Sequence, residues 1–159
     1  MENKEEEAME ATKQVVFKLG QEEYGLDILI VNAIETYHGV VPVPNAPDYI
    51  LGILNLRGEV VPVFSLRIKF GLPEIKTSSE QLIITKTNGM MVGFKVDGVD
   101  GIIEFQAKEL SEVPRIVKSE KTKYAKQIAK KDGKMIILLD HDGILNDHEQ
   151  ASIQEALAQ

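Results

Sequence analysis

Apolar residues along this chain come in short runs separated by Gly, Pro or a pair of polar residues, a spacing that predicts strands and turns. The densest stretch is Tyr49–Phe70, where two apolar runs flank Arg57-Gly58. It predicts a β-hairpin, with Ile53–Leu56 ending the incoming strand and Val60–Leu66 forming the outgoing one. Pro62 has no N–H to give a ladder, so the second strand is expected at an edge or with a bulge. Upstream, Gln14–Leu19 and Tyr24–Ile28 flank Gly20-Gln21-Glu22-Glu23 and predict a first hairpin. The β-branched run Ile28–Ile34 predicts a further strand, although Ile28, Val31, Asn32 and Glu35 would also share a helical face. Val40–Pro44 reads as extended, because each Pro biases its predecessor away from helix. Asn45–Asp48 reads as one helical turn, with Asn45 as N-cap and Pro47 in the first turn. Gly71–Glu80 is a loop by its Gly, Pro and Ser content. Asn146 and Glu149 form a capping pair that opens a helix ending at Gln159.

The pattern then repeats. Gln14–Ile34 lies over Leu82–Ile102 at an offset of 68, with Lys18/Lys86, Gly25/Gly93, Val31/Val99 and Ile34/Ile102 identical. Tyr49–Leu66 lies over Tyr124–His141 at an offset of 75, with Tyr49/Tyr124, Ile53/Ile128 and Gly58/Gly133 identical. The apolar alternation and the turns coincide as well, which marks a duplicated module of short strands. Such modules predict small barrels rather than an α/β sheet.

Composition narrows the function classes. The chain has 159 residues, 43% hydrophobic and 27% charged, and no Cys, which excludes disulfides, thiolate metal sites and cysteine nucleophiles. No apolar run approaches bilayer length and the N-terminus is acidic, so a cytoplasmic location is expected. The net charge of −7 is concentrated at the ends: residues 1–13 carry −3, residues 140–159 carry −5, and the body is near neutral at +1. That body lacks the basic footprint of a nucleic-acid binder. Lys108–Lys134 carries a local +5, which fits either a solvated face or a surface for an acidic partner, and its one aromatic is Tyr124. Residues 1–13 read as an acidic tail.

No catalytic constellation emerges. The nucleophile-elbow, P-loop and dinucleotide glycine patterns are all missing from the sequence. Asp140-His141-Asp142-Gly143 lacks calcium-loop spacing and reads as a turn. No cofactor is implied. On pattern alone Arg57 is open between a solvated turn residue and a recognition group.

The run Leu51-Gly52-Ile53-Leu54-Asn55-Leu56-Arg57-Gly58, followed by Val61-Pro62-Val63 and Leu66-Arg67, resembles the signature of the CheW family of bacterial chemotaxis coupling proteins. Gly25–Ile28 with Val31 and Ile34, Val96–Val99, and Gly133–Asp140 resemble further family strands, so the likeness spans Gln14 to Leu145. It implies a mainly β fold of two interwoven five-stranded SH3-like barrels with a C-terminal helix over 146–159. One barrel would take about 22–80 and the other about 14–21 plus 82–145. It also implies a non-catalytic adaptor that couples chemoreceptor (methyl-accepting chemotaxis protein) cytoplasmic tips to the regulatory domain of the histidine kinase CheA. Val31, Asn55, Arg57, Val99 and Ile102 match receptor-binding positions, and Ile116 matches a kinase-binding one. For Val31 and Ile102 plain core packing is the competing reading. Two residues depart from the family pattern: Ala33 stands where Glu is usual, and Ser65 where Asp is usual. Glu35, two residues on, is a candidate replacement for the acid that would pair with Arg57. The alternatives are a CheW-like scaffold module of a non-chemotaxis receptor–kinase system, or a small β-barrel ligand-binding protein.

Overall fold

The computed structural model describes residues 11–77, 79–87, 89–114 and 123–144. These form strands β1 (Thr12–Leu19), β2 (Glu22–Asp27), β3 (Val31–Thr36), β4 (Ile50–Leu56), β5 (Glu59–Ser65), β6 (Gln81–Thr87), β7 (Met90–Val96), β8 (Gly98–Phe105), β9 (Leu110–Glu112), β10 (Ala125–Lys131) and β11 (Lys134–Leu139). Two single-turn helices accompany them, α1 (Leu66–Lys69) and α2 (His141–Ile144). The predicted C-terminal helix over 146–159 lies outside the described residues.

The fold is mainly β, in two sheets. One has the strand order β8-β1-β2-β11-β10-β9 and the other β3-β6-β7-β5-β4. The duplication explains both. Shifted by 68, β1, β2 and β3 fall on β6, β7 and β8; shifted by 75, β4 and β5 fall on β10 and β11. Exchanging each strand for its mate turns β3-β6-β7-β5-β4 into β8-β1-β2-β11-β10, which is the other sheet without its short β9. The parallel contacts match too, β5 with β7 and β11 with β2. Each sheet is therefore completed by the first hairpin of the other repeat. The crossing is wider than expected from the resemblance: β2 leaves residues 31–65 together with β1, and β6 and β7 join them. A hairpin paired over six residues, as β1 and β2 are, moves as a unit.

Alternation within strands divides the core into three. Val15, Phe17, Leu19, Tyr24 and Leu26 of one sheet meet Ile50, Phe64, Ile83, Val92 and Phe94 of the other in a shared core. Val16, Phe105, Leu110, Ala129, Ile136 and Leu138 form a core belonging to the six-stranded sheet, and Val61, Val63, Leu82 and Ile84 one belonging to the five-stranded sheet. Aromatic rings line the shared core, with Phe17–Tyr24 centroids 5.9 Å apart, Tyr24–Phe70 5.4 Å and Phe70–Tyr124 5.5 Å. Each such side chain contributes roughly 1.5–3 kcal/mol by burial.

Three local expectations are corrected. Ile28–Ile30 is a 3-10 turn rather than strand, because the Asp27 carboxylate accepts the Leu29 N–H at 2.9 Å and caps it. Asn45 has φ of 62°, a left-handed conformation that an N-cap does not adopt, and no helix forms there. Pro62 lies on an inner strand; the ladder to β7 begins only at Val63, so the missing N–H falls just outside it. The bulge is on the partner strand, at Leu51 beside Gly52. A side chain at Gly52 would run into the Val41 carbonyl, which bridges to Ile53 there.

Candidate functional site

The edge strands β3 and β8 carry the same irregularity. β3 pairs Val31 with Thr85 and then Ala33 with Ile84, which leaves Asn32 as an extra residue. β8 pairs Val99 with Phe17 and then Gly101 with Val16, which leaves Asp100 extra. Asp100 is the repeat mate of Asn32 at the offset of 68. A bulge resets the facing of everything beyond it, and cross-strand partners share a face. Val31 and Ile34 therefore lie on the face of Thr85 and Ile83, and Val99 and Ile102 on the face of Phe17 and Val15. Simple alternation would instead have grouped Val31 with residue 33 and Glu35; the bulge separates them.

Val31 and Val99 are both half-buried against the shared core. Ile102, 56% exposed, and Ile34, 37% exposed, stand beside them as open apolar side chains. Core packing thus describes part of Val31 and Val99, and not Ile102. Sequence reasoning passed over Ile34, although its identity with Ile102 across the repeat was the signal that could have found it.

Asn55 and Arg57 belong to a different face. Arg57 (φ 53°) and Gly58 (φ 87°) are the two left-handed residues of a tight hairpin turn, and the Asn55 Oδ1 accepts the Gly58 N–H at 2.9 Å. The Arg57 Nη2 lies 3.4 Å from Glu35 Oε1. β3 and β4 are opposite edges of their sheet, so this contact requires the sheet to curl on itself, as an SH3-like fold does. Ala33 from β3 and Leu54 and Leu56 from β4 accordingly pack on the same Val61–Ile84 core. Between the two edges lies a pocket walled by Glu35 and Asn55 and floored by Leu54, Leu56, Leu82 and Ile84. The six-stranded sheet shows a matching seam, where the Lys131 Nζ donates to the Glu104 carbonyl at 2.7 Å, from β10 to β8.

The structure therefore gathers Asn55 and Arg57 with Glu35, sets Val31 and Val99 on the shared core, and places Ile102 beside Val99. Ile116 lies outside the described residues.

Two polar networks hold these faces in place, and neither was visible in the sequence. Arg67 grips Asp97 with two hydrogen bonds, Nε to Oδ1 at 2.7 Å and Nη2 to Oδ2 at 2.6 Å, while the Gly20 N–H donates to the same carboxylate at 2.6 Å. This ties α1, the β1–β2 turn and the start of β8 together, two residues before Val99. Burial raises the Asp97 pKa, but the hydrogen bonds from Arg67 and Gly20 outweigh it and hold the carboxyl below its ordinary value. The second network is buried. Lys95 meets Glu80 and, at 3.1 Å, Glu74, while the Ser65 hydroxyl donates to Glu74 at 2.9 Å and accepts the Ile68 N–H at 3.1 Å. Ser65 thus performs the N-cap role that an Asp would fill. An Asp there would bring a second carboxylate against Glu74.

Around α2, the Asp140 Oδ1 accepts the Asp142 N–H at 3.1 Å, the geometry of a turn. Among the described residues no group of three acids or His is placed to hold a metal ion, and no helix is long and apolar enough to cross a membrane.

A family model described as "CheW-like domain" matches residues 13–149. The chain belongs to the CheW-like family. Among curated relatives it is 34% identical over 140 residues to "Chemotaxis protein CheW" of Klebsiella aerogenes, covering 87% of this chain and 84% of that protein. It is 30% identical over 141 residues to the protein of the same name from Bacillus subtilis, covering 88% and 90%. Among solved structures it is similar to the scaffolding protein TtCheW from Thermoanaerobacter tengcongensis, with a TM-score of 0.79 and 33% identity over 87% of this chain and 94% of that one. Within a CheW-like fold the bulged edges β3 and β8 are the symmetric elements, and of the two seams only that of the five-stranded sheet is closed by the Arg57–Glu35 pair.

Proposed function

We propose that this chain is a non-catalytic, cytoplasmic chemotaxis adaptor that joins the cytoplasmic tips of chemoreceptors to the regulatory domain of CheA. In this reading Val31, Val99 and Ile102 form an apolar receptor face, Asn55 and Arg57 add polar contacts, and Ile116 contacts the kinase. The observation that carries it is the pair of equivalent bulges at Asn32 and Asp100. They turn Val31 with Ile34 and Val99 with Ile102 out of the two sheets' own cores, and leave Ile34 and Ile102 exposed. A receptor helix offers apolar side chains at i, i+3, i+4 and i+7, the spacing that such a face accepts. Mixing the full chain with a receptor tip fragment and a CheA regulatory domain at tens of micromolar should give a ternary complex. Absence of that complex, with each partner shown to be folded, would sink the adaptor reading.

A further inference from the structure

We infer that Glu35 is a positioning residue for Arg57, setting the direction in which the guanidinium faces a partner. This rests on the reading of Arg57 as a partner contact. The backbone at Arg57 is already fixed, by two left-handed residues and by the Asn55–Gly58 hydrogen bond. Its side chain is not: it stands 80% exposed at the tip of a hairpin, on a long and rotamer-rich stem. Glu35 is the fixed end of the pair, with its side chain 32% exposed on a strand laddered to β6 opposite Leu82. The bulge at Asn32 is what brings Glu35 to this face, and Ala33, on the same face, offers only a methyl group. Contact through one terminal nitrogen leaves the remaining guanidinium donors free to point outward. A planar fork held in this way is suited to a carboxylate or carbonyl on the partner. Glu35 thus acts through Arg57 without touching the partner itself.

The test is a double-mutant cycle on the full chain, with binding to a receptor cytoplasmic tip fragment and the melting temperature measured for each variant. Arg57→Ala should weaken binding about tenfold, as loss of a contact Arg does. Glu35→Gln should weaken it about threefold, the scale of an exposed ion pair, and in the Arg57→Ala background it should change nothing further. Melting temperatures should stay level throughout. A silent Glu35→Gln beside a damaging Arg57→Ala would overturn the positioning role and leave Arg57 as a contact. An equal loss from Glu35→Gln with Arg57 absent would show that Glu35 acts independently, and a fall in melting temperature matching the affinity loss would show a structural staple; either overturns it. A silent Arg57→Ala would remove the reading of Arg57 on which the inference stands.

Discussion

Lys95 is the most deeply buried charged residue among the described residues. Its side chain is 6% exposed and lies between Glu80, 7% exposed, and Glu74, with the Ile75 carbonyl accepting from the same ammonium at 3.2 Å. Lys95→Met would leave the buried Glu80 carboxylate without its cation and beside the partly exposed Glu74, at a cost of about 3–5 kcal/mol. Denaturant unfolding should show that loss, while the receptor affinity of the folded fraction stays unchanged. His141 adds a pH dependence. Burial lowers its pKa below the ordinary 6.5, against the opposing pull of Asp142 and Asp140. The unfolded chain therefore binds this proton more tightly than the folded one. Stability is complete above about pH 6.5 and falls as pH drops from there through the lowered value. Melting curves taken between pH 8 and pH 5 should show the decline, and His141→Asn should flatten it. None of these partnerships could be read from the chain, because Lys95, Glu74 and Glu80 look like ordinary surface charges until the fold brings Glu74 and Glu80 to Lys95 on β7.

At the level of elements, hydrophobic alternation located the β4–β5 hairpin and its Arg57-Gly58 turn, since a two-residue turn with Gly second has a distinct local requirement. It failed at Ile28–Ile30 and Asn45, where a single side-chain hydrogen bond and a left-handed residue override propensity. It also could not show the bulges, which insert one residue without changing composition. That matters for the candidate site, because the bulge at Asn32 moves Val31 away from Glu35 and onto the shared core. Val99 and Ile102 consequently predict different outcomes. Ile102→Asp places a charge at a 56% exposed position and should reduce receptor binding with little change in melting temperature. Val99→Asp sets an unpaired carboxylate against the core beside Phe17 and should lower both. Parallel melting and binding curves for the two variants check this; equal melting losses would mean that Ile102 is core.

Apart from β9, the strands of the described residues are two copies of one pattern, each sheet borrowing a hairpin from the other repeat. The duplication was legible in the sequence through Val31/Val99 and Ile34/Ile102. The reciprocal exchange was not, since strand order is set by long-range pairing that leaves no local trace. The exchange makes the two bulged edges equivalent and sets Val31 and Val99 against one common core, so a receptor seated on this face as proposed should perturb residues of both repeats. Chemical-shift mapping of the labelled full chain with a receptor tip fragment tests that claim most directly. Perturbations are expected at Val31, Ile34, Val99 and Ile102 together, with a second cluster at Asn55, Arg57 and Glu35. Perturbations confined to β9, β10 and β11, with β3 and β8 unmoved, would contradict it.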